Sequence, residues 1–354
     1  MDQAVMVAMS GGVDSAAAAL LLAQSGLSLT GGTLLLRDGP AAQEAAASAA
    51  AVCERLGIPH RTFDLRQQFS ERVIAPFEAG YLRGETPNPC IACNRSVKFT
   101  GMREKAAELG ISRIATGHYA RIERDGTGRL LLRRGADRDK DQSYVLYVLS
   151  QETLSRTLFP LGELTKREVR QLAAQAGFSC AGAAESQDIC FVPDGDYAGF
   201  LERRGALSPP GAFVTEDGRE IGTHRGLIRY TVGQRRGLGI AAPQRLFVLR
   251  KEAAANRIVL GPQQSLLTGS AAVTEVNWVS CPPPQGPLRA WVSTRYRQTP
   301  QPAWLHPGPD GVTVEFDRPQ PSPAPGQAAV FYDPDMGDYL LGGGTIRAAG
   351  KETS

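Results

Sequence analysis

Short apolar runs alternate with helix-forming stretches over the first half of the chain. Residues 4–9 predict a strand, and the alanine-rich residues 16–24, which are closed by Gly26, predict a helix. The same alternation predicts strands over 29–36, 60–65 and 111–115 and helices over 41–56, 67–80 and 94–109. Strands that alternate with helices are typical of a parallel, doubly wound sheet.

The next segment mixes a hairpin with further helices. Residues 121–134 predict a hairpin that turns at Asp125–Gly126, and residues 142–149 predict a helix. Thr165 and Glu168 have the spacing of a capping box, which predicts a helix that runs to residue 176. Residues 84–93 are punctuated by prolines and predict a loop.

The pattern changes near residue 207, where glycine, proline and short alternating runs replace the helical periodicity. We therefore predict an α/β protein in which a Rossmann-like catalytic domain is followed by two small domains. The predicted boundaries are 1–206 for the catalytic domain, 207–268 for a middle domain and 269–354 for an antiparallel β-barrel. Within the last domain, residues 348–354 predict a frayed tail.

Composition narrows the class of protein. The 354 residues are 42% hydrophobic and 21% charged, with a net charge of +3, which permits a polyanion as partner without requiring one. Without a run of about 18 apolar residues or a signal peptide, the chain is predicted to be cytoplasmic and not membrane-bound. Six cysteines dispersed through such a chain indicate a reducing compartment.

The hexapeptide Ser-Gly-Gly-Val-Asp-Ser at 10–15 joins the first predicted strand to the first helix. Glycines allow a phosphate to approach the backbone, and N–H groups at the helix start can bind it. A tight turn is the alternative, but the full hexapeptide favours phosphate, although the lysine of a Walker loop is absent. The segment resembles the pyrophosphate-binding loop of the ATP pyrophosphatase group. That resemblance implies that Asp14 helps to organise Mg²⁺ and phosphate.

Cysteines occur on two separate segments. Cys90 and Cys93 form a C-x-x-C, and Cys190 lies on a second loop. A C-x-x-C alone fits half of a zinc site, a redox pair, a set of cluster ligands or coincidence. Cys180 is the candidate for a fourth zinc ligand, whereas Cys53 and Cys281 are predicted to pack in the protein interior and at a domain edge.

Seven motifs occur in one order along nearly the whole chain. They are SGGVDS at 10–15, TPNPCIACNRSVKF at 86–99, TGHY at 116–119, DKDQSY at 139–144, ESQDICF at 185–191, YTVGQRRGLG at 230–239 and RYR at 295–297. Together they resemble the bacterial tRNA-specific 2-thiouridylase family, which thiolates the wobble uridine of tRNA.

The resemblance implies a mechanism. ATP would adenylate the C2 oxygen of uracil, and a persulfide on Cys190 would deliver sulfur to C2. Cys93 would attack the terminal persulfide sulfur, or otherwise help to release it, and leave a Cys93–Cys190 disulfide. A basic neighbour such as Arg95 is expected to lower the pKa of a thiol. A persulfide sulfur-carrier protein is the expected donor.

Cys90 departs from the family pattern, in which its position is often Asp. Cys90, Cys93 and Cys190 could therefore hold an iron–sulfur cluster that delivers sulfur instead of a persulfide. Both routes stay open at this point.

The resemblance also carries over binding residues. For ATP these are Ala8, Met9, Ser10, Gly11, Gly12, Val13, Asp14, Ser15, Leu34 and Gly117. For tRNA, expected to be the isoacceptors for Lys, Glu and Gln, they are Asn88, Pro89, Cys90, His118, Lys140, Asp141, Gln142, Arg295, Tyr296 and Gln327. By itself, Leu34 is simply a core strand residue, and His118 is equally a structural histidine or a site histidine.

The stretch 219–251 is strongly basic, with seven arginines and one lysine against Glu220. It predicts a phosphate-binding surface, with Tyr230 and Tyr296 available to stack on unpaired bases. A solvated charged face is the alternative. Two other functions compete with tRNA thiolation: an RNA-binding or zinc-stabilised module, and a ligase or amidotransferase that acts on a small metabolite.

Overall fold

A computed structural model describes residues 4–182, 189–335 and 337–347. The predicted frayed tail and residues 185–188 of the second cysteine loop lie outside these ranges. Among the described residues, no helix is long and apolar enough to cross a membrane.

The catalytic domain is built on the predicted parallel sheet. Its five strands lie in the order β3-β2-β1-β4-β7 and all pair in parallel. Their bounds are β1 Ala4–Ala8, β2 Ser28–Leu35, β3 His60–Asp64, β4 Arg113–Ala115 and β7 Thr157–Leu158. The hairpin is formed by β5 Ala120–Arg124 and β6 Leu130–Arg134. Strand β7 has only two residues, which is too short to show a pattern in the sequence.

Helices cover the sheet. They are α1 Val13–Gln24, α2 Pro40–Leu56, α3 Arg66–Phe69, α4 Ala75–Leu82, α5 Pro89–Cys93, α6 Phe99–Glu108, α7 Gln151–Ser155, α8 Lys166–Gln175 and α9 Tyr197–Arg203. Single π-helical turns, Ser70–Ile74 and Asn94–Lys98, join α3 to α4 and α5 to α6. Helix α8 begins with the predicted capping box, in which Thr165 and Glu168 satisfy each other's backbone N–H groups.

Two local predictions were wrong. Residues 89–93 form helix α5 rather than a loop, because Asn88 caps the helix and Pro89 suits its first turn. The helix predicted over 142–149 reduces to a 3₁₀ turn, Ser143–Val145. The following residues instead present backbone carbonyls to the barrel: those of Tyr147 and Leu149 accept hydrogen bonds from the Asn277 amide at 2.6 and 3.1 Å.

A four-stranded sheet follows the catalytic domain, in the order β10-β11-β8-β9. Its strands are β8 Gly211–Val214, β9 Glu220–His224, β10 Phe247–Glu252 and β11 Arg257–Gly261. Strands β11 and β8 pair in parallel, and the other two pairs are antiparallel.

The last sheet is a closed, six-stranded antiparallel barrel, as predicted. Its strands are β12 Leu267–Trp278, β13 Leu288–Ser293, β14 Gln301–Gly308, β15 Gly311–Pro321, β16 Ala328–Tyr332 and β17 Leu340–Ile346. The barrel holds the loop that precedes α5: the Thr86 N–H donates to the carbonyl of Pro325 at 2.7 Å, and the Gln327 amide donates to the carbonyl of Thr86 at 2.6 Å.

Candidate active site

The loop between β1 and α1 has the form of a phosphate cradle. Gly11 has a φ of 78°, and a Cβ there would collide with the carbonyl oxygen of Ala45. Ser15 Oγ accepts the Ser10 N–H at 3.2 Å and donates to the Gly12 carbonyl at 2.9 Å, which fixes the turn. Gly12 caps α1 without a side-chain hydrogen bond, so the open first turn suits an anionic ligand.

Asp14 in the first turn of α1 has two partners that the sequence reasoning missed. The Lys166 ammonium lies 2.7 and 2.8 Å from its two carboxylate oxygens, and the Tyr119 hydroxyl donates to Oδ1 at 2.8 Å. The ammonium also lies 5.7 Å from the centroid of the Tyr119 ring. Tyr119 belongs to the TGHY motif, whereas the sequence marks Lys166 only by its place within a capping box.

Two more of the expected ATP residues lie at the same edge of the sheet. A Cβ on Gly117 would lie 2.9 Å from the carbonyl carbon of Asp14, so only glycine lets the end of β4 pass this close to α1. Leu34 lies near the end of β2, opposite Phe63, and is half-buried. Because the carboxyl ends of parallel strands share one edge, β1, β2 and β4 all deliver residues there.

The cysteines of α5 and the second cysteine loop meet at this edge. Cys93 is buried and Cys90 is exposed, three residues apart on the same short helix. Cys190 is exposed, and its carbonyl accepts a hydrogen bond from the Arg37 guanidinium just beyond β2. The neighbouring Phe191 packs against Phe77, with ring centroids 5.3 Å apart, and shares a hydrophobic cluster with Cys93.

The ionisation of the thiols is coupled, because charge on one affects the pKa of the others. Burial raises the pKa of Cys93 to about 11; the positive charge of Lys98 opposes this shift, and negative charge on Cys190 and Cys90 adds to it. Desolvation also raises the pKa of the Cys90 thiol, with the same opposing effect of Lys98 and the same addition from Cys190. The expected basic neighbour is therefore Lys98. Arg95 instead faces Glu275, at 3.5 Å.

His118 is enclosed next to this group. Its Nδ1 lies 2.7 Å from Thr116 Oγ1, and its ring stacks on Phe99 with centroids 5.6 Å apart. Burial, and then the positive charge of Lys98, lowers the pKa of His118 well below its ordinary value. The imidazole is therefore neutral at pH 7 and is a hydrogen-bonding group rather than a cation.

A groove of about 440 Å³ separates the catalytic domain from the barrel. It is lined by Arg134, Arg138, Asp139, Asp141, Tyr144, Ser293, Arg295, Tyr296, Arg297, Gln298, Thr299, Pro300 and Tyr332. Burial raises the pKa of Tyr296, and negative charge on Asp141 and Cys90 contributes to the shift, so the groove borders the thiol group. Four arginines and exposed Tyr296 give it the chemistry of a single-stranded nucleic-acid site.

Several expected tRNA contacts hold the protein together. Asp141 accepts hydrogen bonds from Arg134, Gly135 and Ser143, and the Gln142 side chain accepts the Tyr119 N–H at 3.0 Å. Gln327 donates to the Thr86 carbonyl, and Asn88 accepts the Cys90 N–H at 3.0 Å. These side chains shape the site whatever else they bind.

The basic stretch offers less free charge than its composition suggests. Arg229 pairs with Glu202 at 2.6 Å, and Arg250 pairs with Glu252 at 3.1 Å. Lys251 points inward to the Tyr230 carbonyl, at 2.9 Å. Exposed arginines remain at 219, 225, 235, 236 and 245, the last three on or beside a glycine-rich loop.

The described residues contain no group of three His, Cys, Asp or Glu side chains arranged to hold a metal ion. The thiols of Cys90, Cys93 and Cys190 are therefore not a preformed ligand set for an iron–sulfur cluster or for zinc. Asp14, the acid expected to help with Mg²⁺, is paired with Lys166.

Comparisons with known proteins cover nearly the whole chain. Residues 3–194 match a family model described as tRNA methyl transferase HUP domain, residues 198–262 its PRC-barrel domain, and residues 269–346 an aminomethyltransferase β-barrel domain. The tRNA-specific 2-thiouridylase MnmA of Heliobacterium modesticaldum is 46% identical over 98% of this chain and 93% of its own length. The protein of the same name from Chloroflexus aggregans is 47% identical over 97% of this chain and 98% of its own.

Proposed function

This chain belongs to the tRNA-specific 2-thiouridylase family, and from that membership we propose how its residues perform the reaction. The chain is a tRNA-uridine 2-sulfurtransferase that binds ATP. The observation that carries the residue assignment is the meeting of the open phosphate loop with the thiols of α5 and of the Cys190 loop at one edge of the sheet.

The first step is activation of the base. The C2 oxygen of uracil attacks the α-phosphorus of ATP; the O–P bond forms while the bond to the bridging oxygen breaks, and pyrophosphate leaves with that electron pair. The glycine loop 10–15 binds the phosphates through backbone N–H groups, and Gly117 leaves room beside it. Mg²⁺ accompanies the triphosphate as its counterion.

The second step is sulfur transfer. The terminal sulfur of a Cys190 persulfide attacks C2 and forms a C–S bond. The Cys93 thiolate then attacks Sγ of Cys190, the S–S bond breaks toward the new thiocarbonyl, and AMP leaves. Cys93 attacks Sγ of Cys190 rather than the transferred sulfur, because only attack on Sγ leaves that sulfur on C2 and produces the Cys93–Cys190 disulfide. An external thiol then reduces the disulfide.

The persulfide route is preferred over the cluster route. Cluster delivery needs three thiolates held together, and the described residues present no such set. Cys90 then has a role other than cluster ligand. Its charge affects the pKa of Tyr296, so we place it between the reactive thiols and the groove.

The tRNA lies in the groove between the catalytic domain and the barrel, with the anticodon nucleotide turned toward Asn88, Pro89 and Cys90. Arg295 and Lys140 bind phosphate, and Tyr296 stacks on a base. We expect the isoacceptors for Lys, Glu and Gln as substrates and a persulfide-carrying protein as donor. The six free cysteines fit the reducing cytoplasm.

The test supplies ATP, Mg²⁺, a persulfide donor and unmodified tRNA and measures 2-thiouridine on a mercury-containing gel. C190S and C93S are each expected to lower product formation at least about 100-fold, because each removes a thiol that the sequence of bond changes requires. C281S is the matched control, since this half-buried thiol packs against the barrel core and donates to the Leu341 carbonyl at 3.7 Å. Product from C190S at the control rate refutes the persulfide assignment.

A further inference from the structure

Lys166 and Asp14 form an ion pair at the edge of the phosphate loop, in which the lysine is the more deeply buried partner. The Lys166 side chain is 12% exposed, so its charge has lost most of its water. Asp14 already accepts a hydrogen bond from Tyr119, and it lies in the first turn of α1, where the helix terminus stabilises a carboxylate. Because these two contacts already stabilise the Asp14 carboxylate, neutralising Asp14 does not by itself explain the largely buried Lys166 ammonium.

The Lys166 ammonium is placed where it can also contact a bound phosphate. A phosphate group bound by the first turn of α1 shares this turn with the Asp14 carboxylate, and the two negative charges repel each other. The Lys166 ammonium has three N–H donors, and it lies 2.7 Å from the carboxylate at the edge of the loop. It can keep one hydrogen bond to Asp14 and donate another to a phosphate oxygen.

The backbone holds Lys166 in place. It is the first residue of α8, directly after the N-cap residue Thr165, and its N–H donates to the Asp137 carboxylate at 2.9 Å. Asp137 begins the segment that reaches Gln142, whose side chain accepts the Tyr119 N–H at 3.0 Å. The backbone is thus fixed by α8 and Asp137, and the ammonium by Asp14 and the Tyr119 ring, before a nucleotide arrives, which lowers the cost of reorganisation during reaction.

We propose that Lys166 is a further ATP-site residue, which binds the β- and γ-phosphates and stabilises the pyrophosphate leaving group. The charge on those phosphates grows as the bond from the α-phosphorus to the bridging oxygen breaks, so a fixed ammonium favours this step. The inference rests on the proposed function through its phosphate loop alone and needs neither the thiols nor tRNA.

Calorimetry with ATP, pyrophosphate and AMP separates this role from a structural one. K166M is expected to weaken ATP and pyrophosphate about tenfold or more and AMP less than about twofold, because only the first two carry the β- and γ-phosphates. K166R, which keeps the charge, is expected to lose less. K105M is the matched control: Lys105 pairs with Glu108 at 2.7 Å, on α6.

Two outcomes overturn the inference. Equal weakening of all three ligands assigns Lys166 a structural role, and unchanged binding of all three removes it from the site. If K166M does not fold, K166Q, which also removes the charge but keeps a polar side chain, carries the same comparison. Failure of the wild-type protein to thiolate tRNA while it binds ATP and pyrophosphate contradicts the proposed function and leaves this inference standing. Failure to bind ATP contradicts both.

Discussion

Cys93 shows how burial controls the chemistry of a single residue. Its thiol has little contact with water, and the Lys98 ammonium only partly offsets the resulting rise of its pKa to about 11. Almost all of the Cys93 population is therefore thiol at neutral pH. A thiol held in this state does not react with stray electrophiles, and it needs the arrival of positive charge or of a reaction partner to become a nucleophile.

The pH dependence of Cys93 alkylation tests this state. With iodoacetamide, the rate at Cys93 is expected to rise about tenfold per pH unit from pH 7 to 10, because the thiolate fraction grows up to a pKa of about 11. K98M removes the cation that lowers the pKa of Cys93, so the alkylation rate of Cys93 at pH 9 is expected to be lower than in the wild type. Peptide mass spectrometry measures the rate separately at each cysteine.

K105M serves as the control for removal of a lysine charge far from the thiols. A plateau of the rate near pH 8.5 would contradict the prediction, because it would mean that Cys93 reacts with an ordinary pKa.

Residue identity in the site was partly predictable from the sequence. The glycine loop and the cysteines carry their own signals, since the phosphate cradle requires glycine and sulfur transfer requires thiols. Lys98 and Lys166 carry no such signal, because a lysine in a helical segment is usually a solvated side chain. Only the packing of α8 against α1, with the capping box at its start, brings Lys166 to Asp14.

Helix α5 is the element on which the thiols depend. It has only five residues, and an isolated helix of this length is not stable. The Asn88 cap, Pro89 in the first turn and the contacts of Thr86 with the barrel hold it in place. Asn followed by Pro is typical of a helix start, but the two prolines in this segment favoured the prediction of a loop.

Substitutions of Asn88 separate its capping role from its expected contact with the base. N88A is expected to lower the free energy of unfolding by about 1 kcal/mol, because the Cys90 N–H loses its acceptor. N88S keeps an oxygen for that N–H, so its stability is expected to match the wild type. Urea unfolding measures stability, and thiolation is followed in parallel.

If Asn88 also contacts the base, N88S thiolates tRNA more slowly than the wild type despite its normal stability. Full activity of N88S together with reduced stability of N88A would leave capping as the entire role of this side chain.

At the scale of the whole molecule, the sheet and the barrel were predictable because their periodicities are local. The parallel pairing of β11 with β8 was not, since it joins residues about 45 positions apart, such as Arg257 and Ala212. The joins between domains were equally hidden. They consist of backbone carbonyls and single polar side chains, such as Gln327 on Thr86, and have no pattern along the chain.

Lys251 makes one of these joins between the middle sheet and the catalytic domain. From β10, its ammonium donates to the carbonyls of Tyr230 at 2.9 Å and Glu85 at 3.3 Å and lies 5.7 Å from the centroid of the Tyr81 ring. Glu85 immediately precedes Thr86, so this lysine helps to position the segment that leads to α5. Burial lowers its pKa from 10.5 to about 8, although the Glu85 carboxylate opposes the shift.

Because of this lowered pKa, the contribution of Lys251 to the stability of the folded chain depends on pH. Below about pH 8 the lysine is charged in both the folded and the unfolded chain, and the folded state carries the full cost of burying the charge. Between about pH 8 and 10.5 the folded chain holds the neutral amine, so the cost declines, and above 10.5 it is gone. The neutral amine still has two N–H donors for the two carbonyls.

K251M has no titrating group at this position, so it does not gain this stability as the pH rises. The difference in Tm between wild type and K251M is therefore expected to shift in favour of the wild type by about 3 °C or more from pH 7.5 to 10.5. Other groups titrate in both proteins and cancel in the difference. Scanning calorimetry under reducing conditions measures it. A difference that stays constant would show an ordinary pKa for Lys251, and a shift toward K251M would show a raised one. Either result would contradict a cost of burying the charge at the join between the two domains.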